Sequence, residues 1–478
     1  SLGVGWSETE LIELERVAFR EMEGIRMQGS LELTFSEDAY FLSSLASGLE
    51  SVVPVGPALV LGRLYDEVGF GAIPEDLFRH LVVSRLVNPG SKLKTGDYLR
   101  RHCAIEYHVD EVYRFMDRIH STYQKQLEEI SFKHTCDILG GVPQVVFYDV
   151  TTLYFEAEDE DDLRKAGYSK DGKHQNPQIV LGLLVAPGGY PLAFQIFEGN
   201  TFEGGTILPV VEAFKKRLGL EKVVVIADSG LLSKKNISEL SALGYDYILG
   251  GRIKAEKSET KAAILAMGLK HGQSKELARA DGTRLVVSYS DKRAKKDHAN
   301  RLRGFNRLKQ SLGKGKLTKD HINNKGYNKY LKLEGETTVE MDDEKFEKDK
   351  EWDGLKGYVT NTSLKKEEVI AAYGDLWQIE RAFRISKTDL RVRPIYHRLR
   401  KRIEAHLCLA FCSYKIYKEL ERRLVASKSH LSAEKAIEIV KTIFEIQVTM
   451  PISKRKHKVL FLKDPDQKHL LDILGINR

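Results

Sequence analysis

Apolar residues recur along the chain with two different periods, and the change between them divides it. From Pro57 to Ile130 the leucines Leu59, Leu61, Leu64, Leu77, Leu81, Leu86 and Leu99 keep a helical spacing, broken at the turn residues Asn88-Pro-Gly-Ser91. Upstream, Ser7-x-x-Glu10 has the form of a capping box, with Trp6 and Leu11 placed to staple a helix running to about Glu23. At Pro143 the pattern becomes one of short unbroken apolar runs. Gln144 to Val150, Ile179 to Val185 and Pro191 to Phe197 predict a three-strand meander, its last two strands joined by Pro187-Gly-Gly-Tyr190. A helix from about Thr206 to Leu218, a strand from Lys222 to Asp228, a helix from Ser233 to Leu243 and a strand from Tyr245 to Leu249 follow. This order predicts an α/β layer fold with a mixed sheet.

Between Arg252 and Lys356 the alternation is lost. A strand is expected at Leu285 to Ser290, then a basic tract with Lys292, Arg293, Lys295, Lys296, Arg301, Arg303, Arg307, Lys309, Lys314, Lys316 and Lys319, opposed by Asp291, Asp297 and Asp320. After Gly313 and Gly315 come β-like pieces at Tyr330 to Leu333 and Gly357 to Asn361. The stretch reads as a β-rich insertion with a basic helix, its cations either solvated or facing phosphates. Tyr373 to Lys387 then predicts one amphipathic helix, with Leu376, Ile379, Phe383 and Leu390 on an apolar stripe. Beside that stripe Tyr373, Glu380 and Lys387 fall seven residues apart with Arg384 close by, either as a solvated face or as a site. A long helix to about Leu424 is apolar at Ile403, Leu407, Ala410, Phe411 and Tyr414; the tail holds a further helix and a basic strand from Ser453 to Phe461.

Charge and composition narrow the class without choosing it. The 478 residues carry 75 Lys and Arg against 68 Asp and Glu, a formal +7 whose meaning depends on clustering. In the helical part, Arg79, Arg85, Lys92, Lys94, Arg100 and Arg101 form either a backbone-docking module or an ordinary solvated face. Four cysteines, Cys103, Cys136, Cys408 and Cys412, are expected to be core thiols in a reducing, cytoplasmic setting. No apolar run approaches the ~18 to 20 residues of a membrane span, and no signal peptide opens the sequence, whose Ser1 reads as a processed or engineered end.

The candidate chemistry lies in acids at strand ends. Asp149 and Asp228 each follow buried apolar residues, where a carboxylate is costly unless it is paired or binds a cation. With Glu380 arriving from a packed helix, the three would form a hard oxygen site suited to Mg²⁺ or Mn²⁺, the arrangement two-metal phosphoryl transfer needs. His174, His397 and His406 are dispersed and read as structural or surface histidines.

The Asp149 strand, the Asp228 strand and the Tyr373, Glu380, Lys387 helix resemble the DDE transposases of bacterial insertion sequences, the insertion-sequence-four superfamily, with its signature Tyr-x2-Arg-x3-Glu-x6-Lys. Tyr148-Asp-Val-Thr-Thr152, Gly167-Tyr-Ser-Lys170, Phe197-Glu-Gly-Asn200, Ala227-Asp228, Arg393-Pro-Ile-Tyr-His397 and Asn88-Pro-Gly-Ser-Lys92 are similar to a long-chain subgroup; the likeness covers roughly residues 56 to 424. Two positions depart from the pattern. Leu376 stands where the signature has Arg, with Arg381 or Arg384 as possible substitutes, and Ser229 follows Asp228 where Arg is expected.

The resemblance implies an RNase H-like mixed five-stranded sheet with helices on both faces, an all-helical N-terminal domain and a β-rich insertion. The boundaries are 1–140 for a helical DNA-binding or dimerisation region, 141–251 and 361–424 for the two parts of the catalytic core, 252–360 for the insertion and 425–478 for a helical, basic tail. It implies Asp149, Asp228 and Glu380 as ligands of two Mg²⁺ or Mn²⁺ ions, and Tyr373, Lys387, Arg381 and Arg384 as contacts to the transposon end. Lys292, Arg293, Lys295 and Lys296 would meet DNA, and Trp352 would stack on a base or serve the core. The implied partners are double-stranded inverted-repeat ends and target DNA, held by a homodimer in a bacterial, nucleoid-associated setting. A metal-dependent endonuclease without strand transfer and a non-catalytic, transposase-derived DNA-binding protein are the alternatives.

Overall fold

The computed structural model describes residues 7–26, 43, 46–169, 172–218, 223–231, 234–314, 317, 321–323, 326–334, 338–450 and 453–476. Trp6, Lys170, Lys222, Ser233, Gly315, Lys316, Lys319 and Asp320 lie outside them. The chain divides into two compact units, one of residues 1–55 with 443–465, the other built mainly of residues 56–442.

In the smaller unit, the helix Glu8–Arg26 begins on the expected box: the Glu10 amide donates to Ser7 Oγ at 3.3 Å and the Ser7 amide to Glu10 Oε2 at 3.1 Å. Leu49–Pro54 is a strand in a segment read as all-helical. It pairs antiparallel with Phe444–Thr449, which pairs in turn with Lys456–Phe461. A short strand of this kind is stabilised by partners remote in sequence, so periodicity within the segment does not reveal it.

The larger unit begins with helices, among them α1 (Asp76–Val87), α2 (Lys92–Cys103) and α3 (Gln124–Leu139). Its sheet is assembled from β1 (Val145–Tyr154), β2 (Gln178–Ala186), β3 (Tyr190–Glu198), β4 (Val224–Ala227) and β5 (Asp246–Gly251), with α4 (Ile207–Leu218) between β3 and β4. The insertion supplies β6 (Ser274–Ala278), β7 (Arg284–Tyr289), the basic helix α5 (Asp291–Gly313) and β8 (Leu355–Thr360). Helices α6 (Lys366–Gly374), α7 (Trp377–Thr388) and α8 (Arg400–Ala426) complete the set used below.

The strand order is β3-β2-β1-β4-β5-β8-β7-β6. The first three are antiparallel, β4 and β5 run parallel to β1, and the rest are antiparallel again. The five strands read from the sequence thus form the RNase H-like half of the sheet. Those of the insertion prolong the same sheet, because β5 still offers a free edge and β8 returns along it, Gly357 opposite Gly251. A smaller satellite core of Phe305, Leu308, Tyr330 and Leu331 lies within the insertion.

One face of the sheet buries Val146, Tyr148, Val150, Val225, Ala227, Tyr247 and Leu249 in the main core. The opposite face carries α7, packed on β1 and β2, and α8, packed on β3 and against α7, with Ile403, Leu407, Ala410, Phe411 and Tyr414 buried as their spacing predicts. The helix expected to be continuous from Tyr373 to Lys387 is instead two. α6 ends at Gly374, and two tight turns follow, the Asp375 amide bonding Ala372 O at 3.3 Å and the Leu376 amide bonding Tyr373 O at 3.1 Å. Gly374 weakens the helix by roughly 1 kcal/mol relative to Ala, and burial of Leu376 fixes the bend. No described helix is long and apolar enough to cross a membrane.

Candidate active site

Register places the two aspartates side by side, although Asp149 stands in the middle of β1, which runs on past the expected end at Val150, and only Asp228 follows the last residue of its strand. β1 and β4 are parallel with Tyr148 opposite Ala227, so Asp149 and Asp228 are the next residues along, on the face opposite the main core. Asp149 is half-buried, with its Oδ1 accepting from the Val150 amide at 2.8 Å. Asp228 stands exposed at the carboxyl end of β4, where the chain turns away and leaves a crevice. Its Oδ1 accepts from the Ser229 amide at 2.6 Å and from the Tyr373 hydroxyl at 3.1 Å.

Asp228 and the exposed Glu380 line one cleft of about 360 Å³, together with Ser229, Gly250, Arg293, Lys356, Tyr373, Leu376 and Trp377. Tyr373 is brought there by the end of α6, over β5, where Gly250 has no side chain. A Cβ on Gly250 would lie 2.5 Å from the Tyr373 hydroxyl and 2.9 Å from the Ser229 amide. Burial and the neighbouring Asp228 carboxylate both push the Tyr373 phenol far above its ordinary range, so it serves as a donor. Asp149 does not line this cleft, and among the described residues no three acids, histidines or cysteines stand close enough together to hold an ion. The donor type nevertheless fits a hard divalent cation: three carboxylates, two adjacent by register and two sharing a cleft.

One cation in this cleft is a residue that periodicity passes over. Lys356, on β8, holds its ammonium 4.3 Å from the Tyr373 ring centre. Burial lowers its pKa and nearby Arg293 adds to this, while Asp228 and Glu380 oppose it; among the described residues it makes no ion pair. Lys356 and Arg293, both from the insertion, line the same cleft as Leu376. Alternating strand residues with one polar tip give a faint signal, and Gly250 and Lys356 could have been found only by knowing that β5 and β8 pair.

The other candidates are placed apart. Arg381 ion-pairs with Glu421 and lines a different cavity with Tyr190 and Tyr414. Arg384 is exposed, and Lys387, two turns beyond Glu380 on α7, lies beside Thr151 and Phe383, while Tyr373 belongs to α6. Lys292, Lys295 and Lys296 are exposed on the first turns of α5. Trp352 is 8% exposed and belongs to the main core, while also lining a wider cleft of about 760 Å³. That cleft adjoins the first through shared Arg293 and Lys356 and adds Arg252, Lys254, Arg301 and Lys329. Arg301 is paired with Asp353, Lys254 and Lys329 both with Asp349, and the shared Arg293 with Asp297. Arg85 and Lys92, grouped above with surface cations, are buried.

The strand order, three antiparallel strands followed by two parallel to the first, is that of an RNase H-like core. The family model of the transposase DDE domain matches residues 140–416, and the chain belongs to that family. Among solved structures, the chain resembles a piggyBac transposase synaptic complex with hairpin DNA at 10% identity, covering 91% of this chain and 84% of that one, with a TM-score of 0.40. It also resembles a Mos1 transposase paired-end complex with left transposon end at 14% identity, covering 52% and 69%, with a TM-score of 0.17. Neither likeness carries a residue assignment. None of the curated proteins compared matches the chain.

Proposed function

We propose that this protein is a DNA transposase that hydrolyses a phosphodiester at each end of a mobile element and joins the freed 3′-hydroxyl to target DNA. The observation that carries the reading is the placing of acids: Asp149 and Asp228 adjacent on one sheet face, and Glu380 across the cleft from Asp228. The membership of the transposase DDE domain family supports it.

Asp149, Asp228 and Glu380 would hold divalent ions, Mg²⁺ or Mn²⁺. Such ions, when bound, lower the pKa of an attacking water or hydroxyl and neutralise charge on the leaving oxygen. The Tyr373 hydroxyl fixes the rotamer of Asp228 through one oxygen and leaves the other free for a cation. Lys356 and Arg293 give the cleft positive charge against the scissile phosphate, in the part played elsewhere by a helix-borne Arg. Exposed Lys292, Lys295 and Lys296 extend that charge along α5 for backbone contacts on inverted-repeat or target DNA. Two copies acting on two ends complete the reading.

The test uses element-end duplexes with Mg²⁺. Asp149→Ala and Glu380→Ala should abolish cleavage while leaving DNA binding largely intact, and undiminished cleavage by either variant overturns the assignment. Pre-cleaved ends offered with a target plasmid then test joining; cleavage without joined product reduces the reading to an endonuclease.

A further inference from the structure

A cluster of basic side chains lies inside the larger unit, away from the acid cleft. Arg85 on α1 is 3% exposed, Lys92 at the start of α2 is 5% exposed, and His406 on α8 is 5% exposed; His397, in the loop after α7, is half-buried. Arg85 donates to Leu390 O at 2.9 Å and to His406 Nδ1 at 3.3 Å, and His406 Nε2 donates to Val392 O at 3.0 Å. An arginine cannot accept and a carbonyl cannot donate, so His406 is the neutral tautomer with its proton on Nε2. The His397 ring stacks obliquely on His406 at 5.3 Å and meets Tyr113 edge-on at 6.1 Å. Among the described residues Lys92 has neither a hydrogen-bond nor an ion-pair partner.

Among the described residues no carboxylate is paired with Arg85, Lys92, His397 or His406. The charged groups that perturb Lys92, His397 and His406 are Arg85, Lys92, His397 and Arg402, all basic, and all three are held below their usual pKa by burial first and these cations second. Acids on the surrounding helices are already engaged: Asp117 with Arg402 at 2.9 Å, Asp97 with Arg100 at 2.9 Å, and Glu404 with Arg400 at 3.0 Å. Burying an arginine beside an unpartnered lysine without a counter-ion is among the costliest arrangements a protein can hold. Lys92 is moreover the first residue of α2, a 12-residue helix whose opening amides add to the positive potential, Ser91 Oγ capping only that of Lys94.

We propose that Arg85, Lys92 and His397 form a binding site for a phosphate oxyanion. Arginine and lysine donors, a neutral imidazole N–H and a helix N-terminus suit a tetrahedral dianion with several acceptor oxygens better than a planar carboxylate. His397 is the least buried of the three. Its loop is pinned to the far end of the Asp149 strand, where the Ile395 amide donates to Tyr154 O at 3.3 Å. The phosphate belongs either to the backbone of a bound DNA strand, an arm that rests on the function proposed above, or to free inorganic phosphate, an arm that does not.

The experiment compares the full chain with Lys92→Met, and with Lys92→Arg as the control for folding. Thermal melts are run in inorganic phosphate and in chloride of equal ionic strength, and duplex affinity is measured against salt. A free-phosphate site raises the wild-type melting temperature by several degrees in phosphate only, and Lys92→Met abolishes the rise. A backbone site shows no such rise, but Lys92→Met weakens duplex binding about tenfold with a salt slope shallower by about one ion, and Lys92→Arg restores both. The proposal is overturned if Lys92→Met changes neither the phosphate response nor the duplex affinity.

Discussion

The Tyr373 hydroxyl donates to Asp228 Oδ1 at 3.1 Å, from a residue 145 positions later in the chain. The bond places a neutral donor, rather than a cation, on a carboxylate at the mouth of the cleft. Tyr373→Phe removes the donor and keeps the ring. End cleavage should fall by about tenfold while folding stability changes by only about 1 kcal/mol. Single-turnover cleavage beside a melting curve decides it: a lower melting temperature with unchanged cleavage would make the hydroxyl a purely structural group.

Gly250 makes that contact possible. A methyl group there meets the Tyr373 hydroxyl at 2.5 Å, so Gly250→Ala should cost about 1–3 kcal/mol through overpacking and displace Tyr373. The double variant Gly250→Ala, Tyr373→Phe should recover part of the loss, since the closest clashing atom is gone. Strict additivity in a double-mutant cycle would refute the clash.

Lys356 and Arg381 separate a site cation from a structural one. Lys356, without an ion pair, should lower affinity for the DNA end about tenfold, or about 1.4 kcal/mol, when changed to Met, with no loss of thermal stability. Arg381, bound to Glu421, should behave oppositely: Arg381→Ala destabilises the fold and leaves end affinity nearly unchanged. Arg384→Ala, at an exposed position, should alter neither by much. Gel-shift titrations with the three variants rank them directly.

Lys415 predicts a pH effect of definite sign. Its side chain is fully buried, donating to Ser131 O at 3.1 Å, and burial lowers its pKa to about 7, against the partial opposition of Glu419. Between about pH 7 and its ordinary value of 10.5 the unfolded chain binds more protons than the folded one, so this group makes stability rise with pH. The slope is at most about 1.4 kcal/mol per pH unit. Denaturant unfolding at pH 7, 8 and 9 should show the rise in the wild type and a smaller one in Lys415→Met; identical slopes would refute the assignment.

Local chemistry was readable wherever neighbours in sequence are neighbours in space. The Ser7 and Glu10 box is closed within one helical turn. Asp149 and Asp228 stood out because each ends an apolar run, and the strand itself decides which side of the sheet each takes. The Tyr373 to Lys387 stretch was harder, since an apolar stripe is compatible with one helix or with two. What breaks it is the burial of Leu376, which depends on the surroundings and not on the period.

The sequence by itself determined the candidate acids, the strands that carry them and the basic character of α5, because each follows from side chains a few positions apart. Only the tertiary structure decided that Asp228 takes its donor from Tyr373, that Lys356 stands in the cleft lined by Leu376, and that Arg85 meets His406, itself packed against His397, inside the fold. The physical reason is common to all three. A charge or hydroxyl acquires its role from the groups that share its desolvated space, and those groups are fixed by strand pairing and helix packing across hundreds of residues.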